Sequence, residues 1–268
     1  MEVSRNPQML TGKCALITGS IGGLGLAAAH RFAAAGCNIV LSGLAGPEEI
    51  VRAKSAIERS HGVRTLYSDA DLRKPHEIAQ MFRDSTEAFG GVDILVNNAV
   101  VRCAAPVEEF PVEAWDEGIA VNLSAAFHTI RLAIPGMRKR GWGRIINVSS
   151  IYGLIGAANR VGYVTSKTAL IGMTRAIALE VLGTNITCNA VCPGSVLTPV
   201  HEAAIQGTMS DKGLSRAEAE QQFHAGKQPS GRFIAAEDVA DLMVFLCGPG
   251  SRDINGAALP IEGAWSIS

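Results

Sequence analysis

The chain lacks what would announce a nucleic-acid-binding, membrane-spanning or disulfide-built protein. Its 24 Lys and Arg are matched by 25 Asp and Glu, for a formal net charge of -1. No basic face points to a nucleic acid partner. No apolar run approaches the ~18 residues of a membrane span, and the first residues, MEVSRNPQML, lack the apolar core of a signal peptide. The cysteines, Cys14, Cys37, Cys103, Cys188, Cys192 and Cys247, form no C-x-x-C pair and lie mostly in apolar segments. They read as reduced, buried thiols of a cytoplasmic protein, with no metal site. Linkers, low-complexity tracts and internal repeats are absent. What remains is 268 residues, 47% of them hydrophobic and 18% charged. That is enough for one sizeable core, so 1–268 is read as a single domain.

Short apolar runs alternate with longer helical patterns. Strands are expected at 13–18, 38–42, 65–68, 93–97, 144–149, 185–191 and 257–261. Helices are expected at 23–36, 47–60, 75–89, 112–140 and 161–182, the fourth bent near Pro135. This alternation implies an α/β fold, a doubly wound parallel sheet with helices on both faces. The strands are apolar nearly throughout, as they must be when both faces are covered. The segment 197–231 breaks the rhythm. It is polar and helix-prone, and carries Gly207, Gly213 and Gly226. An insertion after a strand end reads as a substrate lid in preference to a plain surface excursion.

Thr18-Gly-Ser-Ile-Gly-Gly-Leu-Gly25 follows the first strand and opens the first helix. Such a turn lets the backbone approach a pyrophosphate, whose charge the helix N-terminus favours. No G-K-[ST] follows, so it is not a Walker loop. The end of the second strand, Ser42-Gly-Leu-Ala-Gly46, carries no acid for ribose hydroxyls. Neither 19–25 nor 38–46 carries an Arg or Lys for a 2′-phosphate. The missing base favours NAD, with NADP less favoured. Asp71, after the third strand, is placed to reach an adenine or to cap the next helix, roles that can coexist.

Tyr163-Val-Thr-Ser-Lys167, thirteen residues after Ser150, carries the chemistry. A tyrosine hydroxyl has a resting pKa near ~10 and moves protons poorly at neutral pH unless a positive charge favours the phenolate. On a helix, positions four apart share a face, which sets Lys167 beside Tyr163. Ser150 can then hold a substrate oxygen. Alone, Tyr-x-x-x-Lys fits an ordinary surface helix equally well.

Taken in order, these motifs resemble the short-chain dehydrogenase/reductase family from about Gly12 to Trp265. The series is the glycine turn, Asp71-Leu72, Asn97-Asn-Ala-Val100, Asn122, the strand Arg144-Ile-Ile-Asn-Val-Ser-Ser150, Tyr163 to Lys167, and Pro193-Gly-Ser-Val-Leu-Thr198. The resemblance implies a single-domain Rossmann-type fold, a nicotinamide cofactor and a small-molecule alcohol or ketone as substrate. It implies Tyr163 as acid/base and Lys167 as the residue that lowers its pKa and binds the nicotinamide ribose. Ser150 then orients the substrate oxygen, and Asn122 holds a relay water. Cofactor contacts are expected from Gly19, Ser20, Ile21, Gly23, Leu24, Gly25, Leu44, Asp71, Leu72, Asn98, Ala99, Tyr163, Lys167, Pro193, Gly194, Val196 and Thr198. The helix 161–182 is apolar on more than one face, as a helix buried all round is; the resemblance implies that it packs on its copy in a homotetramer, and a monomer with that helix under the lid is the alternative.

Within the family the chain is similar to bacterial D-3-hydroxybutyrate dehydrogenases. His61-Gly-Val63, Glu109-Phe-Pro111, Gln228-Pro229 and Trp265 carry that likeness, with the long excursion after Thr198. Departures from the subgroup fall around the substrate. They are Val100 for Gly, Arg102 for Gln, Cys103 for His, Tyr152 for His, Arg160 for Lys, Ser195 for Trp and Ala204 for Gln. Substrate contacts are expected from Arg102, Ser150, Tyr152, Arg160 and Trp265. Two guanidinium groups favour a hydroxy or oxo acid, if both face the pocket and not solvent. A sugar, polyol or cyclic-alcohol dehydrogenase is the alternative enzyme, and a non-catalytic nucleotide sensor the alternative of another class.

Overall fold

The computed structural model describes residues 9–268. The stretch 1–8, on which the signal-peptide expectation rests, lies outside the described residues. The first half of the chain runs β1 (Cys14–Thr18), α1 (Gly23–Ala34), β2 (Asn38–Ser42), α2 (Pro47–His61), β3 (Thr65–Ser68), α3 (Pro75–Phe89) and β4 (Ile94–Asn97). The second half runs α4 (Val112–Ile119), α5 (Ala125–Arg140), β5 (Gly143–Val148), α6 (Val161–Glu180), β6 (Ile186–Pro193), α7 (Pro199–Lys212), α8 (Arg216–His224), α9 (Ala236–Phe245) and β7 (Ala258–Ile261). The strands form one sheet in the order β3-β2-β1-β4-β5-β6-β7. Every pairing is parallel, with Ala15 beside Ile94 and Ile94 beside Arg144. This is the Rossmann-type doubly wound sheet. The order reverses between β1 and β4, and such folds open a crevice there at the carboxyl ends of the strands.

Alternate strand residues feed two different cores. Ala15 and Ile17 join Phe32, Ile39, Leu41 and Ile57 on one face. Cys14 and Leu16 join Val40, Ile78, Met81, Leu95 and Ile130 on the other. Period-two side chains with both faces covered explain why apolar residues fill successive strand positions. Burial raises the thiols of Cys14, Cys188 and Cys247 to about 12, so they pack as small apolar groups.

The expected helix 112–140 is two helices. Between α4 and α5 the backbone opens into a π-helical turn, Ala120–Ser124, while Pro135 lies inside α5. Asn122 sits in that turn. Its Oδ1 accepts from the Val101 amide at 2.9 Å and its Nδ2 donates to the Val101 carbonyl at 3.0 Å. A side chain that bonds a neighbouring strand's exit loop this way favours a local widening of the helix, and such turns gather at functional sites. The insertion 197–231 forms α7 and α8, and a bridge between Val196 and Ile234 closes its base.

A buried polar chain ties the second half together. Thr129 Oγ1 donates to Asn97 Oδ1 at 2.7 Å, Asn97 Nδ2 to Asn147 Oδ1 at 2.9 Å, and Asn147 Nδ2 to Thr174 Oγ1 at 2.9 Å. It joins α5, β4, β5 and α6, the elements that carry the site. Truncating its middle member strands two partners away from water. Asn147→Ala is expected to cost about 2–4 kcal/mol, read as a lower urea midpoint; an unchanged midpoint would show that the chain carries no stability.

Candidate active site

The glycine turn is stitched to the loop after β4. Thr18 Oγ1 accepts from the amides of Asn98 and Ala99, both at 3.0 Å. Asn98 Nδ2 donates to the carbonyls of Thr18 and Gly19, both at 2.9 Å. A Cβ on Gly25 would fall 2.2 Å from the Gly19 carbonyl oxygen and 2.6 Å from Asn98 Nδ2. Only glycine fits where the helix presses on its own entry turn. The N-cap of α1 is Gly22, which offers no side-chain cap, so the first amides of the helix are left for an anion.

A cleft of about 460 Å³ opens at the topological switch, lined by Gly19, Gly23, Leu24, Gly25, Leu44, Asp71, Leu72, Asn98, Ala99, Arg102, Ser150, Tyr163, Lys167, Pro193, Gly194, Val196 and Thr198. Two expected cofactor residues do not line it. Ser20 is fully buried, its hydroxyl donating to the Ile17 carbonyl and accepting from the Ser42 amide, and Ile21 packs beside the core. Of the expected substrate residues, Tyr152, Arg160 and Trp265 also lie outside the lining. Tyr152 nevertheless stands edge-on between Tyr163 (6.4 Å between centroids) and Trp265 (5.3 Å). The charge of Arg160 acts on Tyr152. Tyr152 and Trp265 therefore form a wall continuous with Tyr163.

Tyr163 and Lys167 rise from the first turns of α6. Lys167 is 2% exposed, and its Nζ donates to the Val148 carbonyl at 2.7 Å. Burial, with the charge of Arg102 in support, holds that ammonium below its ordinary pKa, while Tyr163 opposes the shift. For Tyr163, burial is the largest single influence and acts upward. The charges of Lys167 and Arg102, with hydrogen bonds from Ser150 and Arg102, outweigh it, so the phenol titrates below its ordinary value. Lys167 Nζ lies 5.7 Å and the Arg102 guanidinium carbon 5.5 Å from the centre of the Tyr163 ring. Ser150 Oγ also accepts from the Tyr152 amide at 3.2 Å, which fixes its direction. Asn122, buried behind this group, has Ser166 Oγ 3.4 Å from its Nδ2. The arrangement can take up and release a proton at one phenolic oxygen beside a groove suited to a phosphate chain.

Several lining residues were not expected from the sequence. Arg73 and Glu117 line the adenine end. Arg73 closes on Asp71 at 2.8–3.1 Å and on Glu117 at 3.4 Å. Hydrogen bonds from Arg73 hold the Asp71 carboxyl down at about 2. Asp71 does not cap α3; Lys74 occupies that position, and Asp71 accepts from the Arg73 amide within the turn. The Asp-Leu-Arg-Lys run 71–74 carried that signal. His201 of α7 lines the opposite end, its Nδ1 2.8 Å from the Val196 carbonyl oxygen. No sequence pattern marks it. No group of three His, Cys, Asp or Glu among the described residues could hold a metal ion.

A fold and a site of this kind define a dinucleotide-dependent oxidoreductase, and comparison with known proteins agrees. The family model described as short chain dehydrogenase matches residues 13–208. D-beta-hydroxybutyrate dehydrogenases of Cupriavidus necator and Rhizobium meliloti are each 43% identical, covering 96% and 95% of this chain and 99% and 98% of their own. L-sorbose reductase of Gluconobacter frateurii, solved with NADPH and L-sorbose, superposes with a TM-score of 0.91 at 32% identity, over 97% of this chain and 98% of its own. The chain belongs to the short chain dehydrogenase family. It is an oxidoreductase acting on a CH–OH group with a nicotinamide cofactor.

Two outcomes follow from the geometry. Gly25→Val should abolish cofactor binding by fluorescence titration while circular dichroism stays native; retained binding would rule out the close approach. Oxidation of an alcohol needs the phenolate, so its rate rises as pH passes the Tyr163 pKa. Arg102→Gln removes a cation and should move the acid limb of kcat/KM upward by about 1 pH unit. A downward or absent move would mean Arg102 does not act on the phenol.

Proposed function

We propose that the enzyme oxidises a small secondary hydroxy acid to the oxo acid, or the reverse, with NAD(H). One observation carries this: the Arg102 guanidinium faces the cleft next to Tyr163, with Arg160 acting on the adjoining Tyr152. The 43% identity to D-beta-hydroxybutyrate dehydrogenases supports a substrate of that class.

The residues present suit a dinucleotide. The cradle at Gly25 admits a pyrophosphate at the uncapped α1 terminus. Leu44, Asp71 and Leu72 take the adenosine half. Asn98, Ala99, Pro193, Gly194, Val196 and Thr198 take the nicotinamide half, with Lys167 at its ribose. Bound there, the nicotinamide exchanges a hydride with the substrate carbon. Ser150 orients the substrate oxygen, and Tyr163 takes its proton during oxidation or returns it during reduction. Lys167 and Arg102 keep the phenolate accessible. Asn122, fixed by Val101, holds the water that reconnects Lys167 with solvent. NAD is favoured over NADP because the one guanidinium at the adenine end, Arg73, is already neutralised by Asp71 and Glu117. α7 and α8 act as the lid, with His201 turned into the cleft. No helix among the described residues is long and apolar enough to cross a membrane, in keeping with a cytoplasmic enzyme. Leu179 of α6 is 69% exposed and Phe127 of α5 is 49% exposed. Apolar exposure on these two helices supports assembly through them into a homotetramer.

Arg102→Ala and Arg160→Ala should each raise KM for a hydroxy acid by about tenfold or more and leave KM for a neutral secondary alcohol nearly unchanged. Small, equal changes for both substrates would favour the sugar or cyclic-alcohol reading.

A further inference from the structure

We propose a second binding site, for a phosphate group, at the opposite end of the sheet from the dinucleotide cleft. Its centre is Arg144, the second residue of β5. This side chain is 3% exposed, yet among the described residues no carboxylate pairs with it. Nη1 donates to the carbonyls of Gly143 and Asn185 at 2.8 and 2.9 Å. Nε is buried without any partner, and Nη2 makes no hydrogen bond among the described residues. Buried guanidinium groups are ordinarily paired, because an uncompensated charge out of water is costly. Here burial itself, with Arg252 in support, pulls the pKa of Arg144 down.

The surroundings add positive charge. Arg144 and Lys13 both engage the Trp142 ring, at 4.5 and 4.7 Å from its centre. Together with Arg252 they line an open cavity of about 660 Å³, whose other walls come from Leu10, Asn185 and Pro249. No acid lies among the lining residues. Asp93, an acid near the same end of the sheet, is held by Arg140 at 2.8 Å. Asp253 follows Arg252 but does not line the cavity. Three cations around one recess, one of them desolvated and only partly bonded, favour a multiply charged anion over chloride. Nη2 is the guanidinium nitrogen left to donate to a phosphate oxygen, and Lys13 and Arg252 add their charge to the same recess. The indole already engages two cations, which compete with a base for its faces. The occupant is therefore inorganic phosphate or a small phosphate monoester, not a nucleotide.

The test titrates phosphate at constant ionic strength with saturating NAD present, which keeps phosphate out of the cofactor groove. Tm should rise by about 3–5 °C and then level off. Arg252→Gln and Lys13→Gln, both away from the active cleft, should weaken the phosphate midpoint by about tenfold with turnover unchanged. Arg144→Met should lose the response altogether. If that variant fails to fold, the two partly exposed positions still decide. Glycerol 3-phosphate distinguishes the sources: a tighter midpoint than phosphate assigns the site to a monoester, an equal one to the free ion. A rise that never saturates and is the same in wild type and variants would be a general salt effect on burial and would overturn the site.

Discussion

A buried ammonium beside a half-buried phenol is the constraint on which the candidate site depends. Lys167 has one hydrogen-bond acceptor in the structure, the Val148 carbonyl, and no carboxylate at hand. Its charge is tolerable because the neighbouring group can itself become an anion. Tyr163 gains as much from the pairing, since its phenolate is also desolvated. Removing either member of such a pair leaves the other as an uncompensated polar group. The same feature that moves a proton thus also fixes α6 against β5.

The scaffold around the pair is built to permit that approach. Ser149 Oγ donates to the Lys167 carbonyl at 2.8 Å, which bonds the exit of β5 directly to the helix. A Cβ on Gly153 would sit 2.4 Å from Ser149 Oγ and 2.9 Å from the Lys167 carbonyl oxygen. Any larger residue there would push the loop that carries Ser150 and Tyr152 off the helix. The polar chain from Thr129 through Asn97 and Asn147 to Thr174 works one layer deeper, since Asn147 lies three residues before Ser150. Register in β5 is therefore also register in the site.

The sheet was legible in the sequence because strands covered on both faces carry a continuous apolar signal, and each expected strand matches an observed one to within about two residues. The catalytic group was legible because its members sit on ordered motifs in three neighbouring elements. What escaped depends on contacts between distant segments. Tyr152 meets Trp265 across 113 positions (265 minus 152), and only folding sets these two side by side. The break at 120–124 was also hidden. Asn122 gives no local sign that it will bond the Val101 backbone, whereas Pro135 advertises a bend and proves to lie inside a helix. The end of β2 carries neither acid nor base, and Arg73, paired with Asp71, stands in the turn between β3 and α3, which the motifs did not mark.

Under the proposed function, Arg102 would couple substrate selection to proton transfer. In the free site its charge and hydrogen bond help lower the Tyr163 pKa. A substrate carboxylate that pairs with the same guanidinium withdraws part of that field, because a paired charge acts more weakly on its neighbours. The phenol then leans more on Lys167, and its pKa in the complex rises above that of the free enzyme. A neutral alcohol causes no such change. An acidic substrate is thus bound tightly at some cost to phenolate supply, and the enzyme works best with it at a higher pH than with a neutral one. An uncharged amide at this position would separate the two tasks, whereas an arginine couples the acid/base to the charge of what is bound.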